Sequence, residues 1–293
     1  MVRDRRQEAA LDALFLGPAV ILFSMIVVAS FILGIYYAFT DWNGISLSSN
    51  WVGWENFRII FTEDRQVGYS ALFTLRLTLT AVVLSNVLGL GLALLVTRSI
   101  KFANGFRAIF FLPNVIGGII LGFIWRFIFT SAFPALGDLT GMAFFELPWL
   151  GDAFTGFWAI IIVFTWRTTG YLMVIYIAAI VAIDDSLIES AQMDGASAVQ
   201  MFTRIILPLI VPAITICLFL MLSWATKIFD VIFSLTRGGP FAATEAFALN
   251  IYFEAFETNN YGLGSAKAVL FFIVVGIVTL IQVTLTKRLE IES

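Results

Sequence analysis

Six long apolar runs dominate the chain, at residues 14–39, 77–96, 108–125, 153–183, 205–226 and 268–286. A helix needs about 20 predominantly apolar residues to cross the hydrocarbon core of a bilayer. The third run continues through Arg126 to Phe129, and the fourth is interrupted only by Arg167. The pattern predicts an all-α polytopic membrane protein with six transmembrane helices. It divides the chain into an N-terminal tail (1–13), a first transmembrane helix with an external segment (14–69), a five-helix core (70–286) and a C-terminal tail (287–293). A polar loop at 184–206 lies within the core. Arg3, Arg5 and Arg6 give the first run the look of a signal peptide. It is too long for an h-region of about 7–15 residues, so it reads as an uncleaved anchor.

Six spans put both termini on one side. Arg3, Arg5, Arg6, Arg98, Lys101, Arg107, Arg204, Lys287 and Arg288 fall on that side, against Arg58, Arg65, Arg237 and Lys267 on the other. Cytoplasmic loops carry the excess of Lys and Arg, so both termini are expected in the cytoplasm. The loop after residue 183 runs against the trend, with Asp184, Asp185, Glu189 and Asp194 against Arg204. Acidic residues contribute little to orientation, so that loop's composition needs another reason. The external segments are expected at 41–69, rich in interfacial aromatics (Trp42, Trp51, Trp54, Phe57), at 132–152, with Gly137, Gly141 and Pro148 as breakers, and at 227–267.

Composition narrows the chemistry. Charged residues make up 13% and hydrophobic ones 60%, whereas a soluble domain carries roughly 25% charged residues. A net charge of −3 gives no reason to expect a nucleic-acid partner. The chain has no histidine, the commonest general base and metal ligand. Cys217, the only cysteine, lies in an apolar run and reads as a small buried residue. No G-x-x-x-x-G-K-[ST] phosphate loop occurs, so a partner must hydrolyse any ATP that drives this protein. No internal repeat is evident, so a complete pathway is expected to need a second subunit.

The polar loop reads Glu189-Ser190-Ala191-Gln192-Met193-Asp194-Gly195, then nine residues, then Ile205-Ile206-Leu207-Pro208. Asp184, Asp185 and Ser186 favour a helix start, and Gly195 is suited to a left-handed stop. A second helical segment over 196–206 follows, with Pro208 opening the next span. Such a helix–turn–helix suits docking onto a cytoplasmic partner.

These residues resemble the signature loop of ABC importer permeases: E-A-A, three residues, G, nine residues, I-x-L-P. Glu189, Ala191, Gly195, Ile205, Leu207 and Pro208 match, and Ser190 stands where the family usually has Ala. The stretches 106–113, 124–126, Phe229-Asp230, 235–240 and 261–266 are similar to those of carbohydrate permeases of the maltose and multiple-sugar class. The resemblance implies a type I ABC importer permease fold in a prokaryotic cell membrane, with 184–206 as the coupling loop. It implies a second, related permease, a dimeric cytoplasmic ATPase holding ATP and Mg, and an extracellular solute-binding protein. No cofactor is expected on this chain itself.

A charge at the bilayer centre costs at least about 3 kcal/mol on insertion scales, so polar groups inside spans are functional candidates. Arg76 and Arg126 are read as snorkelling from span ends. Arg167 sits mid-span, and Lys227 and Asp230, three apart, are expected on one helical face. Sugars present hydroxyls and flat apolar faces, which calls for hydrogen-bonding groups beside aromatic rings. Trp166, Thr168 and Tyr171 on the fourth span, Asn114 and Gly118 on the third, and Trp224, Lys227 and Asp230 at the end of the fifth are the pathway candidates. The maltose permease contacts its sugar in these same three stretches, and Tyr171 matches it in residue type. An importer for glycerol phosphate is the first alternative, because Arg167 and Lys227 would suit a phosphate. An intramembrane enzyme is a distant one, with no nucleophile or metal motif behind it.

Overall fold

The structure is a computed structural model, and it describes residues 5–97 and 103–287. Arg3, Arg98, Lys101 and Arg288 of the charge count, with the outer parts of both tails, lie outside the described residues. Among the described residues no strand forms beyond one isolated bridge between Thr40 and Trp51. Five helices are long and apolar enough to span a bilayer, and a bent pair makes a sixth. By internal contacts the chain divides into two units, one comprising the chain up to Arg65 with Ile251–Phe272 and the other Gln66–Asn250 with the rest of the last helix.

In the first unit, α1 (Leu14–Tyr37) is apolar on all faces and exposed over nearly its whole length. A helix hydrophobic all round belongs in hydrocarbon. Phe31 meets Phe272 of the last helix at 4.9 Å between ring centres. Past Tyr37 the chain turns, and α2 (Glu55–Thr62) folds back beneath it. Asn56 of α2 fixes the turn by donating to the carbonyls of Ala38 and Thr40, both at 2.9 Å. Lys267 is fully buried in this unit, with its amine 2.7 Å from Asp64 and 2.6 Å from Glu254.

The second unit is built from α3 (Arg65–Val96), α4 (Ala103–Val115), α5 (Gly118–Thr140) and α6 (Ala153–Val181). It continues through α7 (Asp185–Met193), α8 (Ala198–Leu209), α9 (Val211–Thr226) and α10 (Asp230–Leu235). Helix α6 is the hub, and most of its length is buried. Small residues set the crossings, as expected where lipid supplies no hydrophobic drive between helices. A Cβ on Gly170 of α6 would fall on the carbonyl of Phe110 in α4. One on Gly89 of α3 would lie 2.9 Å from Leu172 of α6, and one on Gly122 of α5 would fall on the hydroxyl of Ser234 in α10. Buried polar pairs add to these contacts: Ser85 with Thr168 at 3.0 Å, and Tyr176 donating to Asn86 at 2.6 Å. After α10, α11 (Phe247–Tyr252) returns to α3, where the amide of Phe247 donates to Thr74 at 2.8 Å. The last helix, α12 (Tyr261–Thr286), closes the chain.

Four sequence expectations need correction. The third apolar run is not one helix. It breaks at residues 116–117, so that α4 packs on α6 while α5 begins anew at Gly118 and runs on to Thr140, past Gly137. Gly141, at φ +62°, ends it. The fifth run is bent by 70° between α8 and α9. Pro208 therefore lies inside α8, and the span opens at Val211 and Pro212. Two prolines four residues apart remove two amide donors from one helical face, which is a physical cause for the kink. Lys227 and Asp230 do not share a helix, because α9 ends at Thr226 and α10 starts at Asp230. Finally, α12 starts at Tyr261, so Lys267 sits in a helix rather than a loop.

Candidate solute cavity and docking loop

The helix breaks converge on one cavity. It has a volume of about 470 Å³ and is lined by Asn114 of α4, Phe164, Arg167 and Thr168 of α6, Ser223 and Trp224 of α9, and Lys227 to Asp230. Arg167 lies near the middle of α6. Its guanidinium Nη1 donates to Asp230 Oδ2 at 2.8 Å, and the two side chains are 23% and 35% exposed. Asp230 Oδ1 accepts from the amide of Val231 at 2.9 Å. Gly118 forms the wall behind this pair: a Cβ there would overlap the Asp230 carboxylate and crowd Arg167 Nη1. The carboxylate is thus held by a cation, by a backbone amide and by the first turn of α5.

Of the pathway candidates, Asn114, Arg167, Thr168, Trp224, Lys227 and Asp230 line the cavity. Gly118 contributes backbone to its edge. Tyr171 is not among the lining residues. It is half-buried behind Trp224, with ring centres 5.2 Å apart in an edge-to-face contact. Trp166 is also absent from the lining and packs edge-on against Trp125 at 5.5 Å. One helical position separates Trp166 from Arg167, which turns it by about 100° to another face. Sequence reasoning missed Phe164, Ser223, Ile228 and Phe229. The period of α6 was enough to find Phe164, three positions before Arg167 and on its face. The break after Thr226 had no sequence signal strong enough to reveal Ile228 and Phe229. Lys227 and Asp230 do not pair: Asp230 pairs with Arg167, and among the described residues Lys227 makes no salt bridge.

The loop after α6 has the predicted shape. Asp184 caps α7 by accepting from the amide of Ser186 at 2.9 Å. That bond holds the Asp184 carboxyl below the ordinary carboxylate range. Gly195 follows at φ +77°, and Ser197 with Gln200 forms a capping box that starts α8. Glu189, Ser190, Asp194 and Gly195 are exposed, and Ala191 is half-buried. Leu187, Met193 and Val199 are also exposed, Met193 by 88%. Ile205 and Leu207 are half-buried in α8 beside Pro208. The loop therefore presents apolar side chains flanked by carboxylates.

Residues 85–291 match the family described as binding-protein-dependent transport system inner membrane component. The chain belongs to that family. It is a membrane-spanning permease component of a binding-protein-dependent ABC transport system. A probable starch degradation products permease, AmyD of Thermoanaerobacterium thermosulfurigenes, is 44% identical over 279 residues, 95% of this chain and 94% of the relative. The multiple sugar-binding permease MsmF of Streptococcus mutans is 34% identical over 258 residues, 88% of this chain and 89% of the relative. Among solved structures, a bacterial ABC transporter that imports the acidic polysaccharide alginate superposes with a TM-score of 0.83. It shares 24% identity, and the match covers 97% of this chain and 96% of that one. The likeness gives the permease its fold, that of a type I ABC importer. The permease's α6 to α9, with the loop between them, lie inside the family match.

Proposed function

We propose that this permease passes a sugar or oligosaccharide through the membrane, using the cavity between α4, α6, α9 and α10. The observation that carries the reading is the lining itself. Trp224, Phe164 and Phe229 offer ring faces, while Asn114, Thr168, Ser223 and the Arg167–Asp230 pair offer donors and acceptors. A carbohydrate needs both kinds of surface at once. The relatives named for starch products and multiple sugars support the same solute class.

In this reading the chain holds no cofactor and carries out no chemistry. A dimeric ATPase in the cytoplasm, holding ATP and Mg, docks at 184–206 through Glu189, Ser190, Ala191, Asp194, Gly195, Ile205, Leu207 and Pro208. A second permease completes the pathway, and an extracellular binding protein delivers the solute. Both termini face the cytoplasm. The test is reconstitution of the whole complex in vesicles with its binding protein. Labelled malto-oligosaccharide should accumulate only with ATP and the binding protein together. Accumulation of glycerol 3-phosphate in place of any sugar would overturn the reading.

A further inference from the structure

We propose that Asp230 is the charge filter of the cavity: by pairing with Arg167, it makes the site accept uncharged, hydroxyl-rich solutes and reject carboxylate- or phosphate-bearing ones. The proposal rests on the carbohydrate reading above and names the subclass of sugar.

An unpaired, half-buried guanidinium would be a strong anion site, because its planar fork matches carboxylate and phosphate bidentately. Here one N–H of that fork already pairs at 2.8 Å with a carboxylate of the same chain, which offsets its charge. The carboxylate is not free to swing away. Its second oxygen takes the Val231 amide at the start of α10, and Gly118 presses against it with no room for even one added carbon. An incoming anion would therefore meet a fixed negative charge beside the half-buried cation of the lining.

A neutral sugar meets something different. The contact with Asp230 uses only one N–H of the guanidinium, so the rest of the fork can still donate. The carboxylate keeps lone pairs to accept with. Donor and acceptor stand side by side with no net charge, which suits neighbouring hydroxyls on a sugar ring. Lys227 also lines the cavity, but it is exposed. Water and salt screen an exposed ammonium within about 8 Å at physiological ionic strength. Lys227 therefore contributes far less to charge selection than the partly buried pair does.

The test bypasses the binding protein, which would otherwise choose the solute first. The assembled transporter, without ATP, is equilibrated with labelled maltotriose, and unlabelled maltotriose or trigalacturonic acid is used to displace it. The wild type should prefer the neutral trisaccharide at least tenfold. Asp230→Asn, which keeps the side chain's shape, should improve displacement by trigalacturonic acid tenfold or more. Arg167→Gln combined with Asp230→Asn removes the freed cation and should restore the neutral preference. If Asp230→Asn does not assemble, Arg167→Gln alone should make trigalacturonic acid a still poorer competitor. A ratio unchanged in Asp230→Asn, a wild type that prefers the acid, or an acid gain in Arg167→Gln would overturn the filter while leaving a sugar site in place. Failure of the wild type to bind either trisaccharide would instead overturn the carbohydrate reading, and the filter with it.

Discussion

Replacing Lys267 with Met should open the first structural unit without removing its bulk. The Met side chain keeps most of the apolar stem that the lysine buries. What it removes is the ammonium that contacts both Asp64 and Glu254, whose side chains are only 17% and 19% exposed. Taking one partner from a buried ion pair costs about 3–5 kcal/mol, because the charge left behind has neither water nor a counter-ion. Here both carboxylates lose the lysine while a little water reaches each, so the lower figure of about 3 kcal/mol is the fair expectation. At about 1.4 kcal/mol per decade, that is roughly a 100-fold rise in the open population. Protease cleavage reports that population when opening and reclosing are fast.

The assay is therefore limited proteolysis of the segment around residues 41–64 in nanodiscs, with hydrogen exchange on the same samples. Cleavage in Lys267→Met should accelerate by about two orders of magnitude. Adding Asp64→Asn and Glu254→Gln removes the two carboxylate charges and should recover most of the protection. Cleavage within threefold of the wild type would refute the electrostatic reasoning. So would a triple variant as sensitive as the single one, since the damage would then be one of packing.

Two further outcomes are expected. Gly195→Val should insert normally yet lose uptake and transport-coupled ATP hydrolysis, because a β-branched residue at φ +77° costs about 1–2 kcal/mol and misplaces α8; normal uptake at normal expression would remove the docking role. Tyr171→Ala should raise the maltotriose concentration needed for half-saturation several-fold by releasing Trp224 from its edge-to-face contact, with little change in melting temperature; a falling melting temperature with parallel loss of uptake and ATPase activity would make Tyr171 a packing residue only.

Much of the fold was legible because a bilayer imposes a simple length rule. Apolar runs such as 14–39 and 77–96 announced α1 and α3, and the signature loop announced its own cap, its left-handed glycine and its second helix. What the rule misses is interruption. Gly117-Gly118 lies in an apolar stretch, and a window that counts hydrophobicity passes over it, although a glycine pair four residues after Pro113 is a plausible hinge. Pro208 and Pro212 carried the bend of the fifth span, but a span-opening proline looks the same in sequence. Charge misled in the other direction. In sequence Lys267 marks the end of a polar segment, yet it is buried in α12, where Asp64 and Glu254 meet its amine. Arg167 in the middle of a span implied a partner. Nothing local identified that partner as Asp230, 63 residues further on.

The misread places and the cavity coincide for a physical reason. Inside a bilayer, an irregular backbone leaves amides and carbonyls with no water to bond to, so it survives only where protein buries it or where it borders a wet cavity. Both the break at 116–117 and the one at 227–229 fall beside the same space, bounded by Asn114, Gly118, Lys227 and Asp230. Two independent interruptions meeting between apolar spans are costly unless that space is polar and solvated for a purpose. The Arg167–Asp230 pair fits the same logic. At 23% and 35% exposed, the pair avoids much of the desolvation cost of a fully buried one and stays reachable from the cavity that both residues line. A pathway for a hydrated solute needs polar groups that are fixed in position yet reachable, and the broken helices supply them.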